Sequence, residues 1–424
     1  MGNLFKIAIR NLLRYKRRTL LTASLITVGV VFVLVFIAVS GTFKNMMIAQ
    51  ITDSSIGHLQ VHRKGYVASI ETLPINLNIK GGAIAKLETI LAEQPEIAAF
   101  SPRIKFGGMF SNFTETSSIR ITAIDPEKEF RTVPLLSERV MDGSKDLKRG
   151  EILIPELLAR GMKMKPGDMA VIVATNADGS VNGKKFTVAG VMESVTGAGG
   201  RDGYIHMDDA REVLRMDSQQ VSEFVIRLKD FGQLHKFNEK LEGLLSQALN
   251  QQNKPIFELH TWEKLSPFIN IARMIDLMTF FIKIMLIAIV LISIMNVMIM
   301  AVYERIREIG TIAAIGTLPG KILNMFVIEG FCLGIVGALI GDIVGIVFIY
   351  TLNMLKISYD FGQQKGLLLQ SNVNPADILM ISVTVIIVSV IASLQPAFKA
   401  SRMEPIKALR HVCLLYTSPS PRDS

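Results

Sequence analysis

Few side chains in this sequence have spacings that chemistry could use, and each set argues against turnover. His58 and His62 stand four apart, the interval of a helical metal pair, but "GHLQVHRKGY" (57–66) alternates as a strand does. Alternation puts both imidazoles on one face with Gln60, and with no third ligand in sight they read as a surface pair. "GTLPGKI" (316–322) resembles a phosphate-binding loop, yet it has three residues between its glycines and Ile322 where Ser or Thr is needed. "GSVNGKK" (179–185) fails in the same way. There is no Gly-x-Ser-x-Gly, no His-Glu-x-x-His and no cysteine pair, since Cys332 and Cys413 are the two cysteines. The expectation is no enzyme, with no catalytic residue, metal or cofactor on this chain.

What remains is charge in unusual places. Glu329 and Asp342 fall inside an apolar stretch, where a carboxylate is costly and faces a partner or water. Glu329 is expected to make a structural hydrogen bond near an interface. Asp342 is expected to pack beside glycines or be partly wetted, with an ion or proton role as the alternative. "YERIREIGTIAAIGTLPGKI" (303–322) introduces Glu304, Arg305, Arg307 and Glu308 between two apolar runs. Ile306, Ile309, Ile312 and Ala313 make a narrow apolar stripe flanked by those charges. Such a helix either docks into a groove on a soluble partner or rests on lipid headgroups.

The elements that must position these residues are four apolar stretches, 20–42, 277–302, 324–352 and 376–397, each long enough to cross a bilayer. The first exceeds the apolar core of a signal peptide and reads as an uncleaved anchor. The chain has a net charge of +9, yet residues 43–270 hold 28 Lys/Arg against 28 Asp/Glu. The basic excess therefore flanks the spans and marks a membrane edge rather than nucleic-acid binding. Lys and Arg crowd residues 6–18, 305–321 and 399–410, whereas the 353–375 loop has only Lys356 and Lys365. Short-loop charge then predicts both termini and 303–322 in the cytoplasm, with 43–270 and the 353–375 loop outside. Residues 1–19 read as a cytoplasmic interfacial helix, with Leu4, Phe5, Ile9 and Leu12 opposite Lys6, Arg10, Arg14 and Arg17. Simple topology-fixing charge is compatible with that reading.

Residues 43–270 read as a large α+β domain without disulfides. Strands are expected around 57–66, 183–193 and 222–230, with helices over 83–94 and 207–216. Residues 148–173 read as strand, short helix, turn and strand. Residues 231–250 read as a helix returning toward the membrane, and "VTGAGGRDG" (195–203) as a mobile loop. Gly330, Gly334, Gly337, Gly341 and Gly345 form a small-residue stripe for close helix packing. The 21 methionines read as pliable apolar packing. Residues 398–412 are taken as a cytoplasmic tail and the unpatterned 413–424 as a non-native addition.

"RIREIGTIAAIGTLPGKILNMFVIEG" (305–330) resembles the coupling segment of FtsX/MacB-type ABC transporter permeases, with Arg-x-x-Glu-Ile-Gly, then Ala-x-Gly, then Phe-x-x-Glu opening the next span. "QPAFKASRMEPIKALR" (395–410) resembles that family's terminal motif. "IAIRNLLRYKRRTLLTASLITVGV" (7–30) and "GHLQVHRKGY" (57–66) are most similar to the lipoprotein-releasing LolC/LolE branch. The resemblance covers residues 1–412.

It implies a four-span inner-membrane permease with a MacB-like periplasmic domain, paired with a second copy or a paralogue. A separate ATPase subunit would carry the ATP and Mg. Glu304, Arg305, Arg307, Glu308, Ile309, Gly310, Ala314 and Gly316 would form the ATPase contact by motif position. The cargo would be a lipoprotein or similar amphiphile, gathered from the outer leaflet or periplasm and passed to a possible periplasmic carrier, with membrane lipid around the spans. The alternatives are a MacB-like efflux permease for drugs or peptides and an FtsX-like regulator of a cell-wall hydrolase. The latter's outer domain is usually much smaller than residues 43–270.

Overall fold

Length and apolarity decide the helices of the membrane part. In the computed structural model α1 (Gly2–Arg14) is followed by α2 (Lys16–Ile51), a single helix of 36 residues. The described residues are 2–176, 178–194, 201–216, 219–250, 252–356, 358–361, 364–368 and 371–404. Most of the glycine-rich 195–203 segment, most of the terminal tail and part of the 353–375 loop therefore lie outside the description. The chain divides into two units, one of residues 1–44, 273–359 and 367–424, the other of 45–272 and 360–366.

The soluble unit opens with β1 (Leu59–Arg63), β2 (Ile79–Lys80) and α3 (Gly81–Ala92), then a long antiparallel pair, β3 (Ile97–Ser111) and β4 (Thr116–Ile124). There follow α4 (Pro126–Thr132), β5 (Val140–Gly143), β6 (Glu151–Pro155), α5 (Glu156–Gly161), β7 (Met169–Thr175) and β8 (Val181–Met192). β9 (Asp202–His206), α6 (Met207–Val213), β10 (Gln220–Val221), β11 (Glu223–Leu228), α7 (Leu234–Ser246), β12 (Phe257–Thr261) and α8 (Trp262–Leu265) complete it. Ten strands form one mixed sheet, in the order β12-β1-β11-β3-β4-β9-β6-β8-β5 with β7 joining β3 and β8.

Helical spacing is visible in what each helix buries. α3 buries Ile84, Leu87 and Leu91, and α7 buries Leu234, Phe237, Leu241 and Leu245. Both meet a core that includes Ile104, Phe106, Phe224 and Ile226. The helix expected within 231–250 is α7 (Leu234–Ser246), and no span follows it directly. It is followed by β12, which pairs with β1 and forms the sheet's edge. The short alternating run "FELHT" gave that strand too little sequence signal.

The membrane unit continues with α9 (Ile269–Glu304), α10 (Ile306–Ala314) and α11 (Pro319–Met354). In chain order the paired strands β13 (Ser358–Phe361) and β14 (Gln364–Leu368), which fall partly in the other unit, and then α12 (Pro375–Ser401) follow. Among the described residues, α2, α9, α11 and α12 are the four helices long and apolar enough to span a bilayer, and with the α+β domain they define a multipass membrane protein. Their inward residues, including Ile26, Val30, Val290, Ile294, Phe326 and Val385, form one core. Phe32, Phe281, Val347 and Ile391 are among the large apolar side chains left exposed, as lipid contact requires.

The glycine stripe of α11 serves two neighbours. A Cβ at Gly330 would lie 2.5 Å from Ser393 Cβ, and one at Gly334 would lie 2.6 Å from Ser389 Oγ, both on α12. At Gly337, Gly341 and Gly345 a Cβ would meet Ile26, Val30 and Leu34 of α2 at 2.6, 2.7 and 3.0 Å. The absent side chains let three helices close on one another.

Candidate functional site

The break between α9 and α10 falls at Arg305, whose backbone (φ −109°, ψ 16°) leaves the helical region. Apolar residues then pull one side of α10 inward: Ile306, Ile309 and Gly310 are buried. The helix ends in a glycine cap. Gly316 adopts φ +95°, its N–H donates to Ala313 O at 3.0 Å, and the Thr317 N–H donates to Ile312 O at 3.2 Å. This is a Schellman arrangement, which satisfies the last carbonyls and favours glycine at the left-handed position. Pro319 then starts α11 at a position where a missing N–H costs nothing.

Two outcomes revise the sequence reading of this segment. Arg305, expected at a partner contact, is 3% exposed, with Nη1 3.5 Å from Glu329 Oε2 and its guanidinium 4.5 Å from the Tyr15 ring centroid. Ile306 and Ile309, half of the proposed docking stripe, are spent on the protein's own core. The physical reason is that an amphipathic helix must first cover its own apolar face. The outward face is Glu304, Arg307, Glu308, Thr311 and Ala314, together with the exposed apolar side chains Ile312, Ile315 and Leu318. Glu308 Oε1 also lies 3.5 Å from Arg14 Nη1 at the end of α1.

Glu329 is fully buried, and its ion-pair partner Arg305 lies 24 positions earlier in the chain. Asp342 is buried beside Gly341 and accepts a hydrogen bond from Ser382 Oγ at 2.5 Å. Both acids thus have partners within the helix bundle.

A second constellation was misread from sequence. His58 and His62 are not at the surface, being 5% and 0% exposed. The sheet face they occupy is covered by residues 52–56, by α4 and by 134–139. Gln60 Nε2 donates to Ile56 O at 2.7 Å, and Arg139 Nη1 donates to Ser54 O at 3.1 Å. Strand register aligns His62 with Glu223 and Glu223 with Arg103, one row across β1, β11 and β3. Glu223 accepts from Arg103 Nη1 at 3.2 Å and lies 2.8 Å from Lys105 Nζ and 3.3 Å from His62 Nε2. Arg103 also bonds Glu129 and donates to Ser55 O at 2.6 Å.

Burial alone would push the Glu223 carboxyl up, but Lys105, the His62 hydrogen bond and Arg103 together hold it far below the ordinary glutamate range. Tyr66, stacked on His62 at 5.2 Å, is pushed well above the usual phenol range by burial and by the Glu223 charge. Among the described residues no group of three or more His, Cys, Asp or Glu is arranged to hold a metal. The cluster is a structural ion network, one that only strand pairing brings together.

Comparison with known proteins bears on the whole chain. Residues 19–244 match the MacB-like periplasmic core domain family, and residues 280–405 match the FtsX-like permease C-terminal family. The chain is 24% identical over 337 residues to the lipoprotein-releasing system transmembrane protein LolC of Xylella fastidiosa, covering 75% of this chain and 78% of that one. It is 22% identical over 418 residues to LolC of Neisseria meningitidis, covering 93% and 94%. A macrolide export ATP-binding/permease protein MacB of Chromobacterium violaceum is 29% identical over 229 residues, covering 53% of this chain and 33% of that protein.

Proposed function

Because this chain belongs to the FtsX/MacB-like family of ABC transporter permeases, we propose that it is the permease subunit of a lipoprotein-releasing transporter. It transmits the work of a separate ATPase, which carries the ATP and Mg, to the extraction of lipoproteins or similar amphiphiles from the inner membrane. Two permeases, identical or related, sit on two ATPase subunits. In this reading both termini and α10 face the cytoplasm, which the excess of basic residues beside the spans supports. Similarity to LolC along almost the full chain supports this reading over efflux. The MacB likeness over about half of the chain supports a drug or peptide exporter as the second reading.

The observation that carries the proposal is the two-sided build of α10. Arg305, Ile306 and Ile309 anchor it inside, while Glu304, Arg307, Glu308, Ile312 and Ile315 stand outward. A push on the outer face must then move α9 and α11, between which α10 is held. Apolar anchors with a charged rim are the composition of a small protein-docking surface. A periplasmic carrier would receive the cargo.

Co-purification with the partner ATPase subunit, followed by mass spectrometry of bound acylated protein, tests the cargo. Glu308→Lys is expected to lower cargo-stimulated ATP hydrolysis about ten-fold by reversing one rim charge, with membrane insertion intact. Normal stimulation in that variant would remove α10 as the docking element.

A further inference from the structure

In the soluble unit, a cavity of about 670 Å³ opens between the last turns of α2, the end of α4 and the segment after β11. Its size is that of a small-molecule site. Its chemistry is divided. Ile48 and Ala49 of α2, with Leu228 and Phe231, supply an apolar wall. Arg131, Arg227 and Lys229 supply three cations.

The carboxylates nearby are already engaged. Asp53, the single acid in the lining, lies 3.6 Å from Arg227 Nη2 and 3.4 Å from His58 Nε2. Glu96, which also feels the charge of Lys229, accepts a hydrogen bond from Lys240 at 2.6 Å. Arg131 is exposed and makes no ion pair among the described residues. The cavity therefore has two cations more than it has acids.

Phe231 holds one edge open. Its ring meets His58 edge-on at 5.0 Å, yet it remains 36% exposed. His58 is fixed in turn, because its Nδ1 accepts the Leu228 N–H at 3.0 Å. An apolar wall beside surplus positive charge suits a ligand with the opposite halves. A free inorganic anion would leave most of the volume and the apolar wall unused.

We propose that this cavity binds an anionic amphiphile, its phosphate or carboxylate head against Arg131, Arg227 and Lys229 and the start of its apolar portion against Ile48, Leu228 and Phe231. The wall formed by α2 belongs to the same helix as the first span, in keeping with a ligand of membrane origin. The site deepens the permease reading and rests on it for the identity of the cargo. Binding itself needs no ATPase, so loss of coupling and loss of this site are separable.

The test uses the full chain in neutral detergent with a photoactivatable phosphatidylglycerol, mapping adducts by mass spectrometry. Labelling is expected on peptides containing residues 45–52 and 227–231. Short-chain phosphatidylglycerol should compete about ten-fold better than phosphatidylcholine of equal chain length, the value of one or two charge-assisted contacts. Glycerol phosphate at the same concentration should not compete. Arg131→Glu should cut labelling about ten-fold and Arg131→Lys should retain it. Lys229→Glu, at a second exposed position, should act in the same direction.

Unchanged emission from buried Trp262 shows that each variant keeps its fold. Equal competition by the two lipids, or full labelling in both charge-reversal variants, overturns the proposal. Competition by glycerol phosphate as strong as by phosphatidylglycerol also overturns it, by making the ligand a soluble anion.

Discussion

Arg103 and Arg305 are both buried arginines, one in each unit, and they are held in different ways. Arg103 bridges Glu223 and Glu129, donates to Ser55 O, and sits in a strand row fixed by register. Among the described residues Arg305 pairs with Glu329 and lies over the Tyr15 ring. Arg103 is held by two carboxylates and a backbone carbonyl at once. Arg305 ties the start of α10 to α11 and to Tyr15, the residue between α1 and α2. The difference is one of how many groups hold each guanidinium in place.

The comparison breaks first if Arg103→Leu is tolerated. It leaves Glu223 and Glu129 buried without their shared cation, at a cost of about 4 kcal/mol. Denaturant titration followed by Trp262, the single tryptophan, reads this directly. Acid acts on the same network. Glu223 titrates near 4.5 in the unfolded chain and far lower in the fold. Its contribution is therefore complete above about pH 4.5 and is lost as pH falls toward the depressed value. A Trp262 midpoint that is flat below that pH would contradict the assignment.

Arg305→Leu should cost less, about 3 kcal/mol, with about 2 kcal/mol recovered when Glu329→Gln is added. The readout is thiol labelling of buried Cys332 in a Cys413→Ser background. Additive losses would mean that the two residues act separately. Gly337→Leu tests the bundle around that pair. A side chain there meets Ile26 at once and should cost about 2 kcal/mol, again read at Cys332. The smallest effect is expected at Gly316, where a Cβ has open space and only the positive φ resists it. Gly316→Ala should cost about 1 kcal/mol and shorten α10, measured as a modest fall in ATPase stimulation. Within this chain nothing lies against a Cβ at that position, so the backbone conformation alone sets the cost to the fold.

How far the sequence could be read differs between the two units for a physical reason. Bilayer spans announce themselves through length and apolarity, and a strand such as β8 through alternation. The helix of 306–314 was legible as amphipathic, but periodicity shows that a helix has two faces, not which one its own protein takes. Burial of Ile309 against the core and of Arg305 against Glu329 and Tyr15 settled that. The His62–Glu223–Arg103 row was invisible because its members come from three strands, with Arg103 and Glu223 separated by 120 positions. A hint lay in Glu223 itself, an acid opening a run of buried strand residues.

Sequence alone determined the four membrane helices, the α+β character of the soluble unit and a charged helix between two spans, because local period and hydropathy carry that information. Tertiary structure decided which charges meet, which face of α10 stays exposed, and that a cationic cavity forms beside α2. Those outcomes depend on strand register and helix packing, which bring distant residues within a few ångströms and leave no trace in local composition.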